Sequence, residues 1–418
     1  MAKIRKLKVL VWGATAVDSA IVSSIAKSPL LDKLYLSKTN ITVENLGIVL
    51  KEDGGALIRK AKELGIDFAI VNSIANDNGI IDAFNKLGIK AFGVNAGYTK
   101  LESSKAYAKK FMQTYEIPSS RFMLLKKLED LDSAIEKLGL PIVLKPDGYS
   151  RGTGVEVFSD KSSAEKELKE LLNGKYFDNS KLVVAEEYVE GRELSLTLIW
   201  NGKKLYQLPC VQDYKRLLDG NLGWNTGGMG AFCPVEVSKK LQKNLKIYIN
   251  ELEQAFKKEK AGFVGFVFCG LKITSNEEIK TLEFNMRLGD SEGQTILNYL
   301  ETDFLELIWN IATNKDYNDA PKFKSGISAS VNVCSVDYPR KNVRTSINKD
   351  FLTNKPDDII VHFYNVEDKN SQYIIENNRF FSVCCCSENP FEKIYSFINR
   401  LKMKNCHFRR DIGKKYEK

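Results

Sequence analysis

Residues 140–160 read LPIVLKPDGYSRGTGVEVFSD. An apolar run, Ile142 to Leu144, ends on Lys145, a glycine loop follows, and Val155, Val157 and Phe158 mark a second strand. Gly148, Gly152 and Gly154 permit tight turning and close backbone approach, so main-chain N–H groups can converge on an anion beside the Lys145 ammonium. The GxxxxGK[ST] order of a Walker loop is absent. Two readings stand: a hairpin that clamps a nucleotide triphosphate from above, or a glycine turn beside an ordinary surface lysine. The clamp reading makes the 148–155 loop a lid that closes over the nucleotide.

Outward from this hairpin, helix-like segments at 130–138 and 162–173 and strands at 141–145, 154–158 and 182–188 make residues 121–190 a compact α/β unit. Lys100 to Glu116 reads as one helix, stopped by Ile117-Pro118. Before it, residues 7–100 alternate buried strands (LKVLVWGA, KLYLS, DFAIVN, IKAFGVN) with helices, the pattern of a small parallel doubly wound sheet. Its ligand edge is expected at the strand C-termini, around Gly13–Asp18 and Asn72–Asn78, where no GxGxxG or acidic ribose reader stands. Residues 191–310 carry a larger mixed sheet, and a third α/β region runs from about Pro321 to the end.

A chain of 418 residues exceeds one compact core, and 43% hydrophobic with 28% charged residues is ordinary for a soluble globular protein. No apolar run reaches the roughly 18 residues of a membrane span. Eight cysteines without CxxC spacing, and two histidines, His362 and His407, leave no zinc signature; reduced thiols in a cytoplasmic protein fit. The net charge of +9 suits an anionic ligand, but its lysines are scattered, which disfavours nucleic acid. Small-molecule substrates, and a monomer or weak homo-oligomer, are expected.

Three further segments carry chemistry. In VVAEEYVEGRELSL (183–196), Glu186 and Glu187 end an apolar strand and Glu193 begins the next; strand-edge carboxylates can read adenine and ribose, or simply face solvent. In IKTLEFNMRLGDSEGQ (279–294), Glu283 and Asn285 share one strand face, where two oxygen ligands suit Mg2+ on triphosphate oxygens. Arg287 on that face can fork onto a carboxylate or phosphate, while Phe284 and Met286 fill the buried side. Between them lies QDYKRLLDGNLGWNTGGMGAFCP (212–234), a long polar glycine-rich loop whose main-chain donors can cradle a small carboxylate or its acyl phosphate.

The order of these segments resembles the ATP-grasp fold and, within it, the phosphoribosylamine–glycine ligase family. The resemblance runs from the first strand to FRRDIGKKYE (408–417), and rests above all on QD-x-KR…NTGGMGA and EFN-x-R-x-GD-x-E-x-Q. It implies an N-terminal parallel-sheet domain (1–102), an ATP-grasp domain (103–325) with a lid subdomain at about 121–190, and a small α/β C-terminal domain (326–418). It also implies an ATP-dependent ligase that activates glycine or a similar amino acid as an acyl phosphate and joins it to an amine. ATP would meet Lys105, Lys145, Gly152, Gly154, Glu186, Glu187, Val189 and Glu193, and Glu283 and Asn285 would hold Mg2+, with Mn2+ as the alternative. Asp213, Lys215 and Arg287 are the catalytic candidates; with Asn225, Thr226, Gly227, Gly228 and Asp290 they would surround the glycine.

Departures from the family cluster on one side. Its glycine-rich Arg-Glu-His loop is GATAVDSA (13–20) here, a Pro-Gly-Asn loop is LSKTN (36–40), and a Gly-Pro-Glu loop is NSIANDNG (72–79). A Gly-Gly-Tyr-Pro-Gly turn is VDYPR (336–340), and a Gly-Gly-Arg turn is Asn377-Asn378-Arg379. These loops are expected to line the phosphoribosylamine pocket, so either the same amine is bound by other contacts or the acceptor has been exchanged. A catalytically inactive scaffold is the third reading. On the ATP and glycine side the changes are minor: Thr153 for lysine and Tyr214 for histidine.

Overall fold

A computed structural model of the chain describes residues 5–38, 43–72, 78–149, 154–175, 181–314, 316–364, 366–401 and 403–414. Strands β1 (Leu7–Trp12), β2 (Leu31–Leu36), β3 (Ile48–Val49), β4 (Phe68–Val71) and β5 (Lys90–Phe92) form a parallel sheet in the order β3-β2-β1-β4-β5. Helices α1 (Ala16–Ile25), α2 (Gly54–Glu63) and α3 (Ile80–Lys86) connect them. Val9, Leu10 and Val11 are buried on both faces, as a covered parallel strand requires. The strand order reverses at β1, so residues 13–15 and Asn72 sit at the topological switch point.

The helix expected over Lys100–Glu116 is two helices, α4 (Ala96–Ser103) and α5 (Lys105–Thr114). Ser104 leaves helical geometry at φ −132°, ψ 109°, and its hydroxyl accepts from the Tyr107 N–H. Asp147 of the hairpin accepts from the Ala106 N–H at 3.0 Å and from the Ser104 hydroxyl. The break is thus a capped helix start, tied to the base of the glycine loop.

Strands β6 (Phe122–Leu125), β7 (Ile142–Pro146), β8 (Glu156–Phe158) and β9 (Val183–Glu187) make an antiparallel sheet, β6-β9-β7-β8, backed by α6 (Asp130–Leu138) and α7 (Lys161–Leu172). Facing it, β10 (Arg192–Trp200) and β11 (Leu205–Gln207) join strands Gly265–Ile273 and Ile279–Asn285. Helix α8 (Lys239–Lys258), which the sequence analysis did not identify, buries Leu241, Leu245, Tyr248, Leu252 and Phe256 against that sheet. Helices α9 (Glu292–Tyr299) and α10 (Phe304–Thr313) follow. The C-terminal sheet orders Gln212–Asp213, Gly230–Cys233, Ile327–Ser335, Arg379–Ser387 and Ile359–Phe363, so the Gly230 end of the NTGGMG loop is anchored on a C-terminal strand, whereas its Asn225 end pairs with Arg216 in a separate hairpin. A separate three-stranded sheet (343–348, 366–369 and 372–377) was not anticipated. All eight cysteines are free thiols. Among the described residues no helix is long and apolar enough to cross a membrane.

One polar contact joins the two ends of the chain: Ser19 Oγ on α1 lies 3.0 Å from His362 Nδ1, both buried. Burial, helped by Lys27, lowers the His362 pKa from 6.5 to about 4, against a smaller opposing pull from Asp290. The neutral ring therefore stabilises the fold fully above pH 6.5, and that contribution is lost as pH falls from 6.5 to 4. At pH 5 the loss is about 2 kcal/mol by linkage. Urea midpoints at pH 7.5 and pH 5 for wild type and His362→Gln test this: the acid-induced drop shrinks in the variant, and an equal drop in both refutes the assignment.

Candidate active site

The β6–β9 sheet and the sheet containing Ile279–Asn285 enclose a cleft of about 960 Å3, whose far end is walled by α1, the 287–292 turn and the C-terminal strands. Lys105, Lys145, Glu193, Asp213, Lys215, Asn225, Thr226, Gly227, Gly228, Glu283, Asn285, Arg287 and Asp290 all line it. Most of the residues expected from sequence therefore converge on one space.

At the near end a buried network sets the lysines. Glu186, 2% exposed, pairs through Oε1 with Lys145 Nζ at 2.8 Å and through Oε2 with Lys109 Nζ at 2.9 Å, and accepts from the Ser120 hydroxyl. Lys109 also donates to Ser120 Oγ at 2.7 Å. Burial works to raise the Glu186 pKa, but the two ammonium groups outweigh it and hold the carboxyl below its usual range. Lys109 is brought down to about 8 by burial, and so is Lys105, which donates to the Gly148 carbonyl at 2.7 Å. Glu186 thus holds Lys145 in place and is not free to read a base with its side chain. Lys109 was missed from sequence; its i+4 spacing from Lys105 put both on one helix face and was the available signal.

Across the cleft, Ile279–Asn285 pairs with Gly265–Ile273 through a register shift between Gly270 and Leu271, so Leu282 is an extra residue next to Glu283. Asn285 Nδ2 donates to Glu283 Oε1 at 3.4 Å, confirming the shared face, while Phe284 and Met286 are buried at 2% and 3%. Lys215 Nζ lies 3.4 Å from Glu283 Oε1 and 3.7 Å from Asp213 Oδ2. Burial acts to raise the Glu283 pKa, yet Lys215, Lys145 and Lys105 together bring it to about 2. Burial raises Asp213, partly offset by Lys215, and raises Glu292 to about 7. Glu193 pairs with Lys272 at 3.4 Å.

At the far end Arg287 is clamped by Glu102 at 2.8 Å, a partner not foreseen. Asp290 accepts from the Tyr364 hydroxyl at 2.7 Å and from Gln294 at 2.7 Å, and pairs with Arg379 at 3.0 Å. The NTGGMG loop does not present its main-chain donors as expected. Thr226 N–H donates to the Lys215 carbonyl (2.8 Å), Gly227 N–H to the Tyr338 hydroxyl (2.8 Å), Gly228 N–H to Thr226 Oγ1 (3.1 Å) and Met229 N–H to the Tyr214 carbonyl (2.8 Å). A Cβ on Gly228, at φ +115°, would lie 2.8 Å from the Asp290 carbonyl, so glycine is required there for close approach. Cations, not main-chain donors, are what this region offers a carboxylate.

Among the remaining expectations, Glu187 turns outward onto Arg121, and Val189 is half-buried in the connection between β9 and β10. Gly154, at φ +77°, is buried at the start of the second hairpin strand, whereas Gly152 lies outside the described residues, as does Thr153. Tyr214 points away from the cleft, where its hydroxyl accepts from the Gly413 N–H at 3.0 Å. Thr15, Val17, Asn72, Tyr338, Asn377 and Arg379, all from the departing loops, line the far end of the cleft.

Residues 7–102 match the family described as "Phosphoribosylglycinamide synthetase, N domain", and residues 103–293 match "Phosphoribosylglycinamide synthetase, ATP-grasp (A) domain". A phosphoribosylamine–glycine ligase of Listeria innocua is 32% identical over 430 residues, covering 98% of this chain and all of the relative. One from Streptococcus pneumoniae is also 32% identical, covering 98% of this chain and 99% of the relative. The crystal structure of phosphoribosylamine–glycine ligase from Thermotoga maritima superposes with a TM-score of 0.83 at 25% identity, covering 97% of this chain and 100% of that one. Biotin carboxylase from Campylobacter jejuni shares the fold at a TM-score of 0.72 and 14% identity, covering 96% of this chain and 93% of its own. Full-length identity, both domain matches and the cleft agree: the chain belongs to the phosphoribosylamine–glycine ligase family and is an ATP-grasp, amide-forming ligase.

Proposed function

We propose that this chain uses ATP to convert the carboxylate of glycine, or of a similarly small amino acid, into an acyl phosphate and passes the acyl group to an amine. The observation that carries this reading is the facing of Lys105 and Lys145 against Glu283 and Asn285, with Lys215 beside Glu283. A carboxylate oxygen attacks the γ-phosphorus, the bond to the β–γ bridging oxygen breaks, and ADP leaves with the electron pair. The amine nitrogen then attacks the acyl carbon, the carbon–oxygen bond to phosphate breaks, inorganic phosphate departs, and the nitrogen releases one proton to water.

In this reading Lys105 and Lys145 neutralise triphosphate oxygens, and Gly154 and the strand-edge residues Glu186, Glu187, Val189 and Glu193 flank the nucleotide. Glu283 and Asn285 fit Mg2+, or Mn2+, as a pair of hard oxygen ligands of which one is firmly ionised, with triphosphate oxygens and water to complete the shell. When bound, the metal would supply positive charge to the transferring phosphoryl group. Lys215 and Arg287 stand where a glycine carboxylate needs cations; Asp213 and Asp290 balance them and, with Asn225, Thr226, Gly227 and Gly228, bound the glycine pocket. The relatives' name supplies phosphoribosylamine as the first amine to test. Free thiols agree with a cytoplasmic protein, acting as a monomer or weak homo-oligomer.

Hydroxylamine in place of the natural amine tests the activation step alone. Mg-ATP, glycine and hydroxylamine give glycine hydroxamate and ADP, and omission of glycine or ATP abolishes both. Absence of hydroxamate and of glycine-dependent ADP release refutes the reading and favours the scaffold.

A further inference from the structure

We infer that Asn72 is a recognition residue for the amine acceptor: its side-chain amide donates a hydrogen bond to an oxygen of a phosphorylated sugar amine seated at the far end of the cleft. The inference rests on the glycine-activating reading above and adds a residue peculiar to this chain to the second step.

Position comes first. Trp12 at the end of β1 pairs with Val71 at the end of β4, on the side where the strand order reverses, so Gly13 and Asn72 leave the sheet side by side at its switch point. A crevice at the carboxyl ends of two such strands is where open parallel sheets take their ligands. Asn72 lines the cleft there together with Thr15, Val17 and Tyr338.

The amide is also oriented. Leu288 N–H donates to Asn72 Oδ1 at 2.7 Å, which fixes the oxygen end of the amide, because two donors cannot face each other. Nδ2 then points away from Leu288. Asn72 is only 5% exposed, and Nδ2 has no hydrogen-bond partner among the described residues. A buried donor left unmatched is costly, so a ligand that brings an oxygen to it is favoured over one that does not.

The same bond ties Asn72 to the reacting end. Leu288 stands between Arg287, placed above at the glycine carboxylate, and Gly289, and both of these neighbours line the cleft. One side chain thus holds the turn that carries Arg287 and offers its remaining donor to the acceptor, which registers the attacking nitrogen against the acyl group. A sugar phosphate amine suits that donor because its ring, hydroxyl and phosphate oxygens extend beyond the nitrogen. The first residue of the departing NSIANDNG loop therefore supplies a side-chain donor where a glycine has none.

Two substitutions separate recognition from tethering. Asn72→Asp keeps an oxygen for the Leu288 N–H and replaces the donor with a second oxygen, ionised in assays at about pH 8. Asn72→Leu keeps the approximate shape and removes both functions. Ribose 5-phosphate with ammonia forms phosphoribosylamine in situ; wild type and both variants receive it with Mg-ATP and glycine, with ammonia alone as the blank. Hydroxylamine serves as the acceptor too short to reach Asn72. In Asn72→Asp, kcat/KM for phosphoribosylamine falls at least about tenfold further than kcat/KM for hydroxylamine, chiefly through KM. Asn72→Leu shows the same acceptor-selective fall and also a lower urea midpoint, since the Leu288 N–H is stranded. An equal fall for the two acceptors in Asn72→Asp, or none for either, overturns the inference and reduces Asn72 to a tether for Leu288. Hydroxamate formed by a wild type that does not use phosphoribosylamine also overturns it and leaves glycine activation standing. Absence of hydroxamate in wild type removes the activation reading and this inference with it.

Discussion

Glu283→Gln lowers kcat for glycine-dependent ADP release by about a thousandfold, with the fold retained. The change is isosteric and removes one charge from a carboxylate brought down to about 2 by three lysines. A neutral amide there is a poorer metal ligand, and it also leaves Lys105, Lys145 and Lys215 facing one another without their shared counter-charge. Lys105 suffers most: burial already brings it to about 8, and Glu283 is the leading influence holding it up. In the variant its charge is lost at lower pH, so ATP use declines already near neutrality, whereas in wild type that decline begins only near pH 8. Steady-state ADP release from pH 6.5 to 8.5, with circular dichroism to verify folding, reads both effects. Near-normal turnover in the variant would sink the metal assignment and the lysine argument together.

Much of this site was legible from sequence because its chemistry lies on regular elements. Glu283 and Asn285 sit two apart on a strand, and two-residue periodicity put them on one face even though a register shift at Leu282 disturbs the pairing alongside. Lys145 was fixed by the end of an apolar run. The parallel N-terminal sheet followed from strands buried on both faces. What remained hidden depends on which side chains meet through long-range packing. Nothing local says that Glu186 is sealed between Lys109 and Lys145, that Glu102 clamps Arg287, or that Tyr338 occupies the Gly227 N–H. The single helix expected at 100–116 failed for the same reason. Its periodicity is continuous, and the break at Ser104 is stabilised by Asp147, more than forty residues away. The glycine-rich NTGGMG loop misled in another way: its composition announces conformational freedom, but its donors were engaged by Lys215, Tyr338, Thr226 and Tyr214.

The two ends of the cleft are unlike in electrostatic design. The near end gathers Lys105, Lys145 and Lys215 about the firmly ionised Glu283, while the far end holds its arginines in ion pairs with Glu102 and Asp290. The departing loops do not weaken the fold. Thr15 and Asp18 form a capping box that satisfies the start of α1, and Ser19 reaches His362.

Glu186→Ala is the strongest destabilising change expected in this molecule, costing about 3–5 kcal/mol. The carboxylate is 2% exposed, and its removal strands Lys109 and Lys145, whose side chains are 2% and 9% exposed, close together without a counter-charge. Desolvation already brings Lys109 to about 8 with Glu186 present, so the remaining route to stability is loss of a proton or water entry into the β6–β9 sheet. Glu186→Gln keeps an acceptor oxygen for Ser120 and Lys109 but turns an NH2 donor toward Lys145 and removes the charge, and it loses less stability than Glu186→Ala. Positioning and stability separate through Lys109→Met. That variant leaves the Lys145–Glu186 pair at 2.8 Å intact, so it lowers the urea midpoint yet keeps KM for ATP within a few-fold of wild type. Glu186→Gln, in contrast, releases Lys145 and raises KM for ATP by about tenfold or more while the urea midpoint moves less than in Glu186→Ala. A double-mutant cycle between Lys109 and Glu186 returns a coupling of about 2–3 kcal/mol, since the two touch within one network. A Glu186→Ala variant that unfolds at the wild-type urea midpoint, or a KM for ATP that tracks stability alone across the three single variants, would show that Glu186 does not hold Lys145 for the nucleotide.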